Sequence, residues 1–222
     1  MTFSLIALDP DDRSLGVACA TGGPALGGFV PHLMAGVGAA ITQGYSTHVF
    51  AAEQGLARLA AGEEVTTVVA GLRGADQGAE WRQIALMDAQ GRTAGWTGQH
   101  NVPVMDLYLG EGLVVAGNML GSERVVPGMA AAFQAGRANG EPLSEALIAA
   151  LIAGQAEGGD RRGVFSAALK VRSPGGVPYD LRIDDASDAV LALSQLHLRI
   201  RDDADFQAFL ARLPDANDPH RH

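Results

Sequence analysis

Residues 2–8 are apolar at nearly every position, which predicts a short strand covered on both faces rather than one with a wet side. Asp9-Pro10-Asp11-Asp12 then forces a turn, and residues 15–20 read as the hairpin partner. An antiparallel opening pair argues against the strand–helix–strand crossover of a dinucleotide-binding fold. A third apolar strand is predicted over residues 37–42, and Ser46 or Thr47 is placed to cap a helix carrying Phe50, Leu56 and Leu59 until Gly62 stops it. A helix near residues 65–72 precedes a second hairpin, residues 83–88 and 93–96 around Ala89-Gln90-Gly91-Arg92, and a strand over residues 113–116. Two more helices follow, one over residues 126–133 and one with Pro142 in its first turn, Leu143, Leu147, Ile148 and Leu151 on one face, and Gly154 at its end. A last hairpin has arms at residues 166–171 and 179–183 around Ser173-Pro174-Gly175-Gly176. Ser187 then caps a helix through Leu196, and a short helix spans residues 205–213.

No Ser- or Pro-rich linker divides this order, which predicts one domain over residues 1–214 and a polar, flexible tail over residues 215–222. Hairpin strands so apolar need cover on both faces. Two stacked antiparallel sheets with helices outside them supply it, so the expected class is α+β, a four-layer α-β-β-α sandwich.

Composition narrows the function more than the fold. Among 222 residues, 47% hydrophobic and 18% charged content argue against disorder as the main architecture. Sixteen basic against twenty-five acidic residues give a net charge of −9, and Lys170 is the only lysine, so neither nucleic acid nor an anionic membrane is an expected partner. A lone Cys19 excludes an intrachain disulfide and a Cys-rich metal site, and suits a reducing compartment. The first residues lack a basic segment before Asp9, and no apolar run approaches the roughly 18 to 20 residues that cross a bilayer. A cytoplasmic location is expected.

Several blocks, in order, resemble the bacterial family catalogued as domain of unknown function 1028, similar in fold to the N-terminal-nucleophile (Ntn) hydrolases. They are Thr2-Phe3-Ser4 with Asp9, Val30-Pro31, Gly36-Val37-Gly38-Ala39 with Thr42-Gln43, Asp88-Ala89-Gln90-Gly91-Arg92, Thr97-Gly98 and Gly117-Asn118-Met119-Leu120. The most specific block is Gly154-Gln155-Ala156-Glu157-Gly158-Gly159-Asp160-Arg161-Arg162-Gly163, followed by Ser166-Ala167-Ala168-Leu169 and Asp180-Leu181-Arg182-Ile183-Asp184-Asp185. The chain departs from the usual pattern at Leu8, at Asn101, where cysteine is common, and at Ser46-Thr47-His48-Val49.

The resemblance implies an Ntn-type reaction, and Thr2 is the residue on which it falls. With Met1 removed, Thr2 offers a hydroxyl nucleophile and its own α-amine as base, and an amine of pKa roughly 7.7 to 8.0 is partly neutral near pH 7. A threonine beginning a buried strand serves packing equally well. Asp160, Arg161 and Arg162 lie in a glycine-flanked loop where backbone approaches a ligand closely. There an arginine fork grips a carboxylate or phosphate, or the loop is simply a solvated turn. Asn118, at a strand end, is an oxyanion donor or a turn residue. Ser166 opens the strand after the arginine loop, and Thr42 with Gln43 end an apolar strand as a pocket wall.

Other chemistries fall away. His32, His48 and His100 lack metal-ligand spacing, and no metal or other cofactor is expected. Neither a G-x-S-x-G elbow nor a Gly-Lys phosphate loop occurs. Cys19 reads as a small core residue, and Trp81 and Trp96 as packing residues flanking a hairpin. The expected activity is hydrolysis of a small, anionic amide or peptide-like metabolite, with Thr2, Asn118 and Asp160 catalytic and Thr42, Gln43, Arg161, Arg162 and Ser166 binding. The alternative is a non-catalytic binding or accessory module on the same fold. Low charge content is also compatible with a homo-oligomer.

Overall fold

A computed structural model describes residues 2–222. The opening hairpin forms as its pattern predicts: β1 (Thr2–Leu8) pairs antiparallel with β2 (Leu15–Thr21), Phe3 opposite Ala20. Around it lies a six-stranded antiparallel sheet in the order β10-β9-β2-β1-β8-β7, completed by β7 (Asp106–Gly110), β8 (Leu113–Asn118), β9 (Ser166–Arg172) and β10 (Tyr179–Ile183). A second, four-stranded antiparallel sheet has the order β3-β4-β5-β6, from β3 (Pro31–Met34), β4 (Gly38–Gly44), β5 (Arg82–Asp88) and β6 (Thr93–Thr97).

The period-two alternation sends successive side chains to opposite faces, and three buried clusters result. Phe3, Leu5 and Ala7 pack with residues of α3 (Val125–Ala138), α4 (Leu143–Ala156) and α5 (Ala189–Asp202). Ile6 and Leu8, of the other parity, meet Ile41 and Met87 of the second sheet. On that sheet's far side, Ala40, Ile84 and Leu86 pack under α1 (Val49–Ala60) and α2 (Val65–Ala75). The layers therefore run helices, four-stranded sheet, six-stranded sheet, helices. Among the described residues the chain ends with α6 (Ala204–Leu210), and no helix is long and apolar enough to cross a membrane.

Several boundaries differ from the sequence pattern, each for a local reason. The strands β3 and β7 are not signalled. The first begins with a proline, and both lie at sheet edges with half-exposed side chains that need no alternation. Neither Ser46 nor Thr47 caps α1; His48 does, its Nδ1 accepting the Ala51 N–H at 3.2 Å, and Phe50 points to solvent. Gly154 does not end α4. It lies inside the helix, where a Cβ would come within 2.7 Å of Met129 Cγ, so it is a contact point between α4 and α3. Asp188, not Ser187, caps α5 by accepting the Leu191 N–H at 3.0 Å. Residues 215–222 curl through an Arg221–Asp215 ion pair and touch the last hairpin turn by an Ala216 N–H bond to the Gly175 carbonyl.

Candidate active site

Between the two sheets the composition changes from one end to the other. Most of the layer is Ile6, Val17, Cys19, Ile41, Met87, Val114 and neighbours, all buried. At the end where β1 begins, the same inward parity of five strands carries Thr2 and Ser4, Thr21, Gln43, Gln83 and Asn118, and all six are buried. Polar atoms placed there must find partners within the layer or cost about 1–3 kcal/mol each.

They do so through the two glutamines. Gln43 Oε1 accepts the Ser4 hydroxyl at 2.7 Å, while its Nε2 donates to the Thr2 carbonyl at 3.3 Å and to Gln83 Oε1 at 2.7 Å. Gln83 Nε2 shares its hydrogens among Thr97 Oγ1 at 2.9 Å and the carbonyls of Asp106 at 2.9 Å and Gly117 at 3.2 Å. Its Oε1 also accepts from Asn118 Nδ2 at 3.4 Å. Both glutamines belong to the four-stranded sheet and their partners mostly to the six-stranded one, so this pair bolts the sheets together.

Beside the glutamines runs a line of hydroxyls. Thr2 Oγ1 donates to Thr21 Oγ1 at 3.3 Å, and Thr21 Oγ1 donates to Asp160 Oδ2 at 3.5 Å. Register places Asn118 opposite Thr2 on β8. Asp160 comes from the loop between α4 and β9, where Gly158, Gly159 and Gly163 all adopt positive φ. Its carboxylate accepts the Gly22 N–H at 2.6 Å, the Arg162 N–H at 2.9 Å, and Arg162 Nε and Nη2 at 3.2 and 2.9 Å. Burial alone would raise this carboxyl, but the Arg162 guanidinium and the N–H groups of Arg162 and Gly22 hold it below the ordinary value near 3.8. The approach at Gly22 is too close for another residue: a Cβ would lie 2.7 Å from the Gly163 carbonyl oxygen and 2.9 Å from Asp160 Oδ2.

The structure thus brings Thr2, Gln43, Asn118, Asp160 and, through Asp160, Arg162 to one end of the layer. Arg161 points into solvent. Thr42 has the opposite parity from Gln43 and faces the α1–α2 layer, where its Oγ1 accepts the His48 N–H at 3.2 Å. Ser166 is buried near Thr21, but its hydroxyl donates to the Gly23 carbonyl at 2.6 Å and accepts the Leu26 N–H at 3.2 Å, pinning the segment after β2. The backbone N–H after Asn118 is taken as well, Met119 donating to the Val102 carbonyl at 2.9 Å. Cys19 is buried in the apolar part, and burial pushes its thiol up. Met1, whose removal the Thr2 reading requires, lies outside the described residues.

Sequence reasoning missed Ser4, Thr21, Gln83 and Asn101. The signal for three of them was present as a polar residue of inward parity in an otherwise apolar strand. Asn101, in the loop after β6, gave none. It is 3% exposed, its Oδ1 accepts the Tyr45 N–H at 2.9 Å, and its Nδ2 donates to the carbonyls of Arg82 at 2.8 Å and Gly98 at 3.1 Å. A separate cleft of about 520 Å³ lies at the opposite end of β1, lined by Leu8, Arg13, Gln134 and Arg137 among others.

Comparison with known proteins agrees with the order of sequence blocks. The model of a family of unknown function, DUF1028, matches residues 2–193. The crystal structure of protein SPO2555 from Silicibacter pomeroyi, which carries the same family model, is similar over 99% of this chain and 98% of its own, at 32% identity and a TM-score of 0.91. Anbu (ancestral beta-subunit) from Yersinia bercovieri aligns over 96% of this chain and 98% of its own, at 9% identity and a TM-score of 0.41. No curated protein matches the chain.

Proposed function

The chain belongs to the DUF1028 family, and from that premise we propose that it is an Ntn-type amidohydrolase of small, anionic amide or peptide-like metabolites, with Thr2 as the nucleophile. Helices outside two stacked antiparallel sheets support an Ntn-hydrolase-like sandwich. The observation that carries the reading is the convergence of Thr2, Thr21, Asp160 and Asn118 at one polar end of an apolar layer.

In the proposed reaction the Thr2 α-amine takes the Oγ1 proton as Oγ1 attacks the amide carbonyl carbon. The carbonyl oxygen becomes the oxyanion, held by Asn118 Nδ2. Collapse breaks the C–N bond, the departing nitrogen takes the proton back from the α-amine, and the acyl group stays on Oγ1 as an ester. Water then adds to the ester, giving up a proton through the same amine, and releases the acid and free Thr2. Asp160 is a positioning residue that acts through Thr21, and Arg162, anchored by Asp160 with an outer edge toward solvent, fixes the negative end of the substrate.

Thr2→Ala is expected to lower turnover of small amides by at least about 10³-fold while sparing binding, and Thr2→Ser to keep part of it. Equal turnover by all three proteins removes the covalent route. Intact mass of the protein from its native host is expected to correspond to a chain beginning at Thr2.

Two observations favour a second reading, a binding module that shares the fold. Thr2 is only 5% exposed, and both oxygens of Asp160 are fully engaged. Stoichiometric retention of Met1 in a protein that binds ligand normally selects this reading over the first.

A further inference from the structure

The two tryptophans stand in opposite situations. Trp96 is half-buried against the α1–α2 layer with its polar edge and its face both used: its Nε1 donates to the Ala79 carbonyl at 3.3 Å, and the Arg73 guanidinium lies 3.2 Å from its ring centroid. Trp81 is 43% exposed and stands between two other exposed rings, Tyr45 at 5.2 Å and His100 at 4.8 Å between centroids, tilted by 51° and 49°. Tyr45 itself is 66% exposed. Three adjoining rings open to water form an exposed aromatic patch of the kind that marks a contact surface.

They are also held rigidly from below. Asn101 ties the Tyr45 N–H to the carbonyls of Arg82 and Gly98, and the His100 N–H donates to the Glu80 carbonyl at 2.8 Å. Gly44, at φ 123°, leaves no room for a side chain, since a Cβ would stand 2.6 Å from Asn101 Oδ1 and 2.8 Å from the Trp81 carbonyl oxygen. Gly98 packs directly on the Glu80 backbone. The backbone that carries the rings is thus held in place, so less ordering entropy is lost on binding than by a flexible surface loop.

Their place is set by the two glutamines. Tyr45 follows the last residue of β4 and Trp81 immediately precedes β5, so both rings lie just past the strand ends that carry Gln43 and Gln83. The loop after β6 closes the same corner, with the Val102 carbonyl accepting the Met119 N–H next to Asn118.

We propose that Tyr45, Trp81 and His100 form a stacking shelf for a flat, π-faced group of the ligand processed or held at the Thr2 end of the layer. The location beside Thr2 rests on the reading given above; the preference for a flat ring does not. The shelf selects amides that carry an aromatic or heteroaromatic group over saturated ones of the same size, because offset or edge-on ring contacts add to area burial only for a π system.

The test uses a matched pair of probes, N-acetyl-phenylalaninamide and its ring-saturated cyclohexyl counterpart, titrated calorimetrically into the full-length protein. The aromatic probe is expected to bind about tenfold more tightly than the saturated one, and Trp81→Ala to abolish that preference. Tyr45→Ala, which keeps the backbone bond to Asn101, is expected to reduce it and serves if Trp81→Ala does not fold. Thr2→Ala is expected to bind both probes as the wild type does, so loss of turnover without loss of preference separates a failed nucleophile from a failed shelf. Equal binding of the two probes, or an unchanged preference in both ring variants, overturns the proposal. So does a protein that sediments as a dimer and dissociates on Trp81→Ala, which assigns the rings to a second copy of the chain.

Discussion

The two ends of the layer between the sheets are built by the same strands and held by different forces. At the apolar end Ile6, Ile41, Met87 and Val114 need only volume and shape. At the other, Thr2, Ser4, Thr21, Gln43, Gln83 and Asn118 need directed partners, and the two glutamines supply most of them. The apolar end gains stability from every methylene it buries. At the polar end hydroxyls and amides are held still, out of bulk water.

Breaking the apolar end is expected to cost most and to change chemistry least. Ile6→Ala removes a fully buried side chain and is expected to cost about 4 kcal/mol in denaturant unfolding, with kcat unchanged for the folded fraction. Gln83→Leu attacks the polar end at its hub. It leaves Gln43 Nε2 and Asn118 Nδ2 without their shared acceptor and takes the Gln83 donor from three acceptors, for an expected loss of about 3 kcal/mol. Adding Gln43→Leu is expected to cost less than a second such loss, because both halves of the pair are then apolar; strict additivity would show that the glutamines do not act together.

Asp160→Asn is expected to cost about 2 kcal/mol at pH 7, where the carboxylate is charged and bound to Arg162. Since the folded-state pKa lies below the unfolded one, the wild type's advantage is complete above about pH 4 and disappears as pH falls through the lowered value. Chemical denaturation between pH 2 and 7 should show a flatter acid limb in the variant. Ser166→Ala is the mildest, about 1 kcal/mol, because only the anchoring of Gly23 and Leu26 is lost. Normal turnover in that variant identifies Ser166 as a loop anchor, and a large loss of turnover returns it to the site.

This contrast also explains what the sequence disclosed. The hairpins, the helices and the stacking of sheets were legible because burial on both strand faces and 3.6-residue periodicity are local signals. Asp160 and Arg162 were legible because glycines surround them. Thr42 and Gln43 were taken together as one wall, although alternation sends adjacent residues to opposite layers; sharing parity with Ile41 marks Gln43 as the inward one. Gln83 was passed over within Arg82-Gln83-Ile84-Ala85 because its partners, Gln43, Gly117 and Asp106, are 23 to 40 residues away in sequence. Asn101 belongs to a loop, and nothing in its neighbours announces that three backbone segments meet on its side chain.

The Gln43–Gln83 pair has a bearing on how the sheets are aligned. Two greasy surfaces facing one another can slip by a pleat and exchange one set of methyl contacts for another of similar worth. A pair of amides whose oxygens and nitrogens are all spoken for tolerates no such shift, since every donor would then meet the wrong neighbour. The sandwich is therefore keyed at one end, and the glutamines fix the relative position of two sheets that would otherwise be free to slide.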